Sequence, residues 1–179
     1  RDLKPANIMV GSHGEVLVVD WGLAKILGQS ADKTAELDSA AVITDRSLEQ
    51  SQATELGSVA GTPAYMAPEQ AWGRLDDIDA RTDVYALGAV LYEALSGQAP
   101  YDGAPTVEVL KAVRAGPPVS LSPGAQVRGD GASTGPPLPS ELVATCTTAM
   151  HPEQAQRFRD AGALADEIAA WLDGARLRT

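Results

Sequence analysis

The sequence predicts a mainly α fold carrying one small β-hairpin. Apolar residues recur at steps of three and four along the second half of the chain, the spacing of a helix face. Two short β-branched runs near the start flank a tight Gly-Ser-His-Gly turn. The 179 residues are 44% hydrophobic and 21% charged, ordinary globular usage and enough for one domain with its own core.

The hairpin comes first. Ile8-Met9-Val10 and Val16-Leu17-Val18-Val19 are strand-like, and Gly11 to Gly14 joins them. From Gly28 to about Ser58 Ser, Thr, Ala, Asp, Glu and Gln dominate without a period, which predicts a long surface loop. A short helix around Asp45 to Ala53 is only weakly signalled. Val84, Leu87, Gly88, Leu91, Tyr92 and Leu95 then define a helix, with Thr82 and Asp83 at its cap and Gly97 as its stop. Ala86, Ala89, Val90 and Ala94 fill its other faces, so most of its circumference is expected to be buried. A further helix spans Thr106 to Ala115 and ends at Gly116-Pro117-Pro118. A Pro-, Gly-, Ser- and Ala-rich loop follows to Pro139. Ser140 and Glu141 open a helix with Leu142, Val143, Cys146 and Met150 inward. The last helix follows Asp160, presents Leu164, Ile168, Trp171 and Leu172, and is expected to stop at Gly174. There is no internal repeat.

The net charge of −10 argues against nucleic acid as a partner and against an anionic membrane surface. The most apolar stretch, Ala86 to Leu95, carries Glu93 and falls far short of the ~20 residues of a membrane helix. Cys146, a single cysteine, has no internal disulfide partner and reads as a small buried apolar residue; a reducing, cytoplasmic setting is the expectation. Arg1 in place of Met, with no leader after it, reads as a fragment.

Chemistry concentrates at one end of the hairpin. A hairpin brings residues just before its first strand near those just after its second, so Asp2, Lys4, Asn7 and Asp20 are candidates for one pocket. Two carboxylates, an amide and an ammonium suit a magnesium-bound polyphosphate. Singly, Asp2 also reads as a turn cap and Asp20 as a strand terminator. His13, His151 and Lys25 read as turn, loop and solvated residues.

Arg1-Asp2-Leu3-Lys4-Pro5-Ala6-Asn7 resembles the protein-kinase catalytic loop without its leading His. Asp20-Trp21-Gly22 resembles the magnesium motif Asp-Phe-Gly, with Trp for Phe, and Ala67-Pro68-Glu69 matches the motif that closes the activation segment. Any one tripeptide is weak; three in order, with Gly61-Thr62-Pro63-Ala64-Tyr65-Met66 between, are specific. The chain is thereby identified as a member of the serine/threonine protein kinases. The phrase Val18 to Lys25 and the Ala-rich composition are similar to the bacterial type.

The resemblance implies a partial kinase fold over 1–174: the C-terminal lobe from the catalytic loop onward, the N-terminal lobe absent. It implies an activation segment at 20–69, with 28–58 as a mobile loop, and a C-terminal extension beginning at 175–179. Asp2 would accept or orient the hydroxyl proton of a protein substrate, and Lys4 would neutralise charge on the transferred phosphoryl group. Asn7 and Asp20 would hold Mg2+ bridging the phosphates of ATP, and Thr62 would shape the site beside Asp2. Asp83 resembles the residue that hydrogen-bonds the catalytic-loop backbone, Gly88 permits close helix packing, and Glu69 with Arg157 resembles a buried ion pair. His151-Pro152 stands where the family often has Asp-Pro.

The resemblance further implies that the glycine-rich loop, the strand Lys and its Glu partner lie outside this chain, which alone should bind ATP weakly and be inactive. The implied partners are ATP and a protein bearing a Ser or Thr acceptor, in the cytoplasm or at the cytoplasmic face of a membrane. A scaffolding pseudokinase and a small-molecule phosphotransferase are the competing classes; intact Asp2, Asn7 and Asp20 weigh against the first, and Ala67-Pro68-Glu69 against the second. Between Gly22 and Ala67 lie 44 residues, long for such a segment, with Thr54 and Ser58 near its end. Autophosphorylation there, paired with Arg1, is expected; phosphopeptide mapping without phosphate between Gly22 and Thr62 would remove it.

Overall fold

The computed structural model describes residues 2–23, 62–101, 105–123 and 137–176. Five α-helices, five short 3-10 turns and one hairpin make up the described fold. The expected loop at 28–58, the weakly signalled helix near 45–53, Thr54 and Ser58 near which phosphorylation is expected, and Arg1 lie outside the described residues.

Strands β1 (Ile8–Val10) and β2 (Val16–Val18) pair antiparallel, Met9 opposite Leu17. The turn between them closes through Gly14 N–H to Gly11 O, with Gly14 at φ 85°, a conformation glycine adopts without a Cβ clash. Strand β2 ends at Val18, one residue earlier than expected, because Asp20 turns into a left-handed conformation at φ 64° and draws the chain away.

Helix α1 (Pro68–Ala71) is a single turn. Pro68 at its first position has no N–H to leave unpaired, and Gln70 Oε1 accepts from Ala67 N–H at 3.1 Å. Helix α2 (Ala80–Ser96) begins a turn earlier than the apolar stripe suggested. Its cap is Asp79, not Thr82 or Asp83: Asp79 Oδ1 accepts from Arg81 N–H at 2.8 Å, and Thr82 Oγ1 accepts from Asp79 N–H at 3.3 Å. This reciprocal pair lies on a polar first turn, where the apolar period is silent. Gly97, at φ 76°, ends the helix as expected.

Helices α3 (Thr106–Ala115), α4 (Ser140–Ala149) and α5 (Ala161–Arg176) follow. Asp160 Oδ1 caps α5 through Ala163 N–H at 2.8 Å. That helix runs through Gly174 to Arg176, two residues past its expected stop; one interior glycine costs only ~1 kcal/mol.

The core gathers around α2. Tyr85, Ala89 and Leu95 pack with Leu142, Val143, Cys146 and Met150 of the α4 segment, and Val84 packs with Ala149 and Leu164. Ala71 of α1 meets Val109 and Val113 of α3. Helices α2 and α4 approach closely at Gly88, where an added Cβ would sit 2.7 Å from Ala149 Cβ and 2.8 Å from Met150 Cγ. Cys146 is buried beside it, its thiol donating to Gly88 O at 3.5 Å, and burial pushes that thiol up to about 12, the behaviour of an inert core residue. The hairpin stands apart: Met9, Val10, Val16 and Leu17 are each more than half exposed.

Candidate active site

Local chain geometry delivers the first three site residues. Lys4 is extended, then Pro5–Asn7 forms one 3-10 turn, with Asn7 N–H donating to Lys4 O at 2.9 Å. The turn reverses the side chain of Asn7 inward, where it is buried. Its Nδ2 donates to Asp2 O at 2.9 Å and more weakly to Asp2 Oδ2 at 3.4 Å.

Thr62 arrives from 60 positions away. Its N–H donates to Asp2 Oδ1 at 2.8 Å, and its Oγ1 accepts from Lys4 Nζ at 2.7 Å. Lys4 Nζ also pairs with Asp2 Oδ2 at 2.8 Å. Asp2, Lys4 and Thr62 thus form a closed triangle with both carboxylate oxygens occupied by donors, which fixes the Asp2 rotamer. Beyond Thr62, Pro63–Tyr65 makes one 3-10 turn that Tyr65 ties to α2, its hydroxyl donating to Glu93 Oε2 at 2.6 Å. The sequence reading missed this anchor, which joins residues 28 apart.

Asp20 is placed by the hairpin register. Val19 N–H donates to Asn7 O at 2.9 Å, so Asp20 leaves β2 one residue beyond the partner of Asn7, at the same end as Asp2 and Lys4. Its side chain is solvent-facing. Among the described residues no three His, Cys, Asp or Glu side chains gather as a metal site. What the hairpin end offers is one amide and one carboxylate. With Asn7 Nδ2 turned to Asp2, the amide oxygen of Asn7 is the atom left for a hard cation. Such a donor pair fits Mg2+, which keeps waters and takes its remaining ligands from phosphate oxygens.

A second polar cluster is built on the ion pair of Glu69 and Arg157. Arg157 Nη1 donates to Glu69 Oε1 at 2.8 Å and Nη2 to Oε2 at 2.9 Å, with the guanidinium side chain wholly buried. Its remaining N–H groups reach Arg81 O, Pro152 O and His151 O, and its face lies 4.9 Å from the Tyr85 ring centre. Thr82 Oγ1 and Gln154 Nε2 donate to Glu69 Oε1 as well. Burial pushes the Glu69 carboxyl up, but Arg157 together with the backbone and Thr82 hydrogen bonds outweighs it and the net shift is downward. At the departure from Asp-Pro, His151 does the local work itself: its Nδ1 accepts from Glu153 N–H at 3.1 Å. Gln154 and Tyr85 were not singled out by sequence, since each acts through a partner far along the chain.

These features match a known class. A family model described as "Protein kinase domain" matches residues 1–117, and the chain belongs to the protein kinase family. Its relatives narrow that to the bacterial serine/threonine type. It is 45% identical over 101 residues to serine/threonine-protein kinase PknD of Protochlamydia amoebophila (strain UWE25), covering 56% of this chain and 10% of that protein. It is 34% identical over 174 residues to probable serine/threonine-protein kinase PknB of Bifidobacterium longum (strain NCC 2705), covering 97% and 21%. Against serine/threonine-protein kinase PknB of Mycobacterium tuberculosis (strain ATCC 25618 / H37Rv) the identity is 39% over 109 residues, covering 61% and 14%. The chain therefore spans between a tenth and about a fifth of the length of these relatives. Among the described residues no helix is long and apolar enough to cross a membrane.

Proposed function

We propose that this chain supplies the catalytic half of an ATP-dependent kinase that phosphorylates Ser or Thr hydroxyls of protein substrates in the cytoplasm. One observation carries the reading: the Asp2–Lys4–Thr62 triangle, drawn from segments 58 to 60 positions apart. A hydroxyl presented to it meets a carboxylate of fixed orientation beside an ammonium.

In the proposed reaction Asp2 orients the acceptor hydroxyl and takes its proton as the oxygen bonds to the γ-phosphorus, while the bond from that phosphorus to the β–γ bridging oxygen breaks and ADP leaves with its electron pair. Lys4 gives up part of its contact with Asp2 to the charge on the transferring phosphoryl group. Thr62 keeps both in register through its N–H and Oγ1. Asn7, through its amide oxygen, and Asp20 would hold Mg2+, whose charge when bound neutralises the phosphates. The domain reading over 1–174 and the inactivity of this chain by itself belong to the same proposal: no residue in it matches a glycine-rich loop or a strand Lys.

The test is transfer of labelled γ-phosphate from ATP to a general protein substrate by the full-length protein. Label is expected on Ser and Thr, and Asp20→Ala is expected to abolish it. Absence of transfer by the parent protein under matched Mg2+ and ATP, or full activity after Asp20→Ala, would overturn the reading.

A further inference from the structure

Trp21 follows Asp20, and its side chain makes a bond that the phenylalanine of the resembled motif has no atom to make. Its indole Nε1–H donates to Val18 O at 2.9 Å, although the ring itself is 70% exposed. The carbonyl it reaches is available for a definite reason. Asn7–Val19 and Gly11–Glu15 carry hydrogen bonds across the hairpin, and such pairs alternate along an antiparallel ladder. The Ile8–Val18 pair between them is then a non-hydrogen-bonded pair, with its carbonyl groups pointing away from the partner strand. Val18 O therefore lies on the outer edge of β2, and the indole is the donor that meets it.

The bond spans the residue that most needs holding. Asp20 is the one non-glycine residue at positive φ among the described residues, at 64°. Asp tolerates this region better than most residues, at a cost that neighbouring contacts must offset. Val18 lies two positions before Asp20 and Trp21 one after, so the indole bond closes a small ring of chain around that strained residue. Trp21 begins the 3-10 turn Trp21–Leu23, which anchors the other side.

We propose that Trp21 is a positioning residue: its indole N–H clasps Val18 O and so holds Asp20 in the left-handed conformation from which its carboxylate meets a magnesium–nucleotide. The inference rests on the reading of Asp20 given above, and it adds a residue that acts through Asp20 rather than on the substrate.

The test uses the full-length protein in three forms: the parent, Trp21→Phe, and a form carrying 3-benzothienylalanine at position 21. The last keeps the size of the indole and replaces its N–H by sulfur. Calorimetric titration with Mg2+ and a non-hydrolysable ATP analogue reads binding without turnover. Both replacements are expected to weaken binding about two- to tenfold, the worth of one hydrogen bond, and to leave the melting temperature where it was. Equal affinity in all three forms would overturn the proposal, as would full affinity in the benzothienyl form alone, since ring shape would then suffice. The clasp is checked separately by indole hydrogen exchange in the parent. The Trp21 indole N–H should exchange more slowly than that of Trp72, a half-exposed residue whose indole N–H meets no acceptor among the described residues. Exchange as fast as that of Trp72 would overturn the clasp. Slow exchange in a parent that binds no magnesium–nucleotide would support the clasp while sinking the kinase reading.

Discussion

Two polar clusters of this molecule use their hydrogen bonds differently. Around Glu69 and Arg157 every guanidinium N–H has an acceptor, both carboxylate oxygens have donors, and the pair is sealed under α2. Around Asp2 and Lys4 the contacts are as short, but the two side chains stay partly open to solvent, and the hairpin that follows them lies largely outside the core. The first arrangement locks a fold, because an unpaired buried charge is costly. The second fixes directions while leaving faces free, as a site for charged substrates requires.

This contrast can be broken by substitution, and the largest effect is expected at Arg157. Arg157→Ala leaves Glu69 buried without its partner and should cost ~3–5 kcal/mol in urea unfolding. Should it cost under ~1 kcal/mol, the lock would not be one. At the Asp2 cluster Thr62→Val removes Oγ1 and keeps the backbone N–H to Asp2. It should lower kcat/KM on the order of tenfold or more through the lost bond to a charged group, with stability nearly unchanged. Gly88→Ala tests the seam between α2 and α4. The added Cβ lands on Ala149 Cβ and Met150 Cγ, so ~1–3 kcal/mol of destabilisation is expected with no specific loss at the site.

Acid sharpens the same comparison. Glu69 is held below its ordinary value of 4.5, so its contribution is fully present above that value and is lost as pH falls through the lowered folded value. Thermal melts between about pH 7 and pH 3 should show stability falling only below about 5. In Arg157→Ala, burial of Glu69 is opposed only by its remaining hydrogen bonds, Thr82 among them, and the decline should begin at higher pH. The smallest effect is expected on the hairpin: Leu17→Ser, at a position 59% exposed, should change unfolding by no more than ~0.5 kcal/mol.

Where the sequence was readable, periodicity or turn chemistry made it so. The hairpin and α3 stand where β-branched runs, glycines and the Gly116-Pro117-Pro118 stop put them. The start of α2 was misplaced because its first turn is polar, and only the Asp79–Thr82 reciprocity reveals it. The continuous apolar run Val16 to Val19 gave no sign that the hairpin lies outside the core, since such a run reads equally well as a strand buried on both faces. At the candidate site, Asp2, Lys4, Asn7, Asp20 and Thr62 could be nominated because they sit in short motifs. The bonds that aim them were not. Lys4 to Thr62, Tyr65 to Glu93 and Gln154 to Glu69 each join positions far apart, and no local pattern encodes a contact at that separation. Trp21 was legible as a substitution in a motif, yet its bond to Val18 O depends on the ladder's parity and on the turn at Asp20.

The most direct measurement takes one variant, Asp2→Asn, in the full-length protein and reads phosphoryl transfer and melting temperature together. Transfer is expected to fall on the order of 10²–10⁴-fold, the share of a positioned proton acceptor, while the melting temperature stays at the parent's. Undiminished transfer, or a melting temperature lowered as far as in Arg157→Ala, would contradict the separation of chemistry from scaffold.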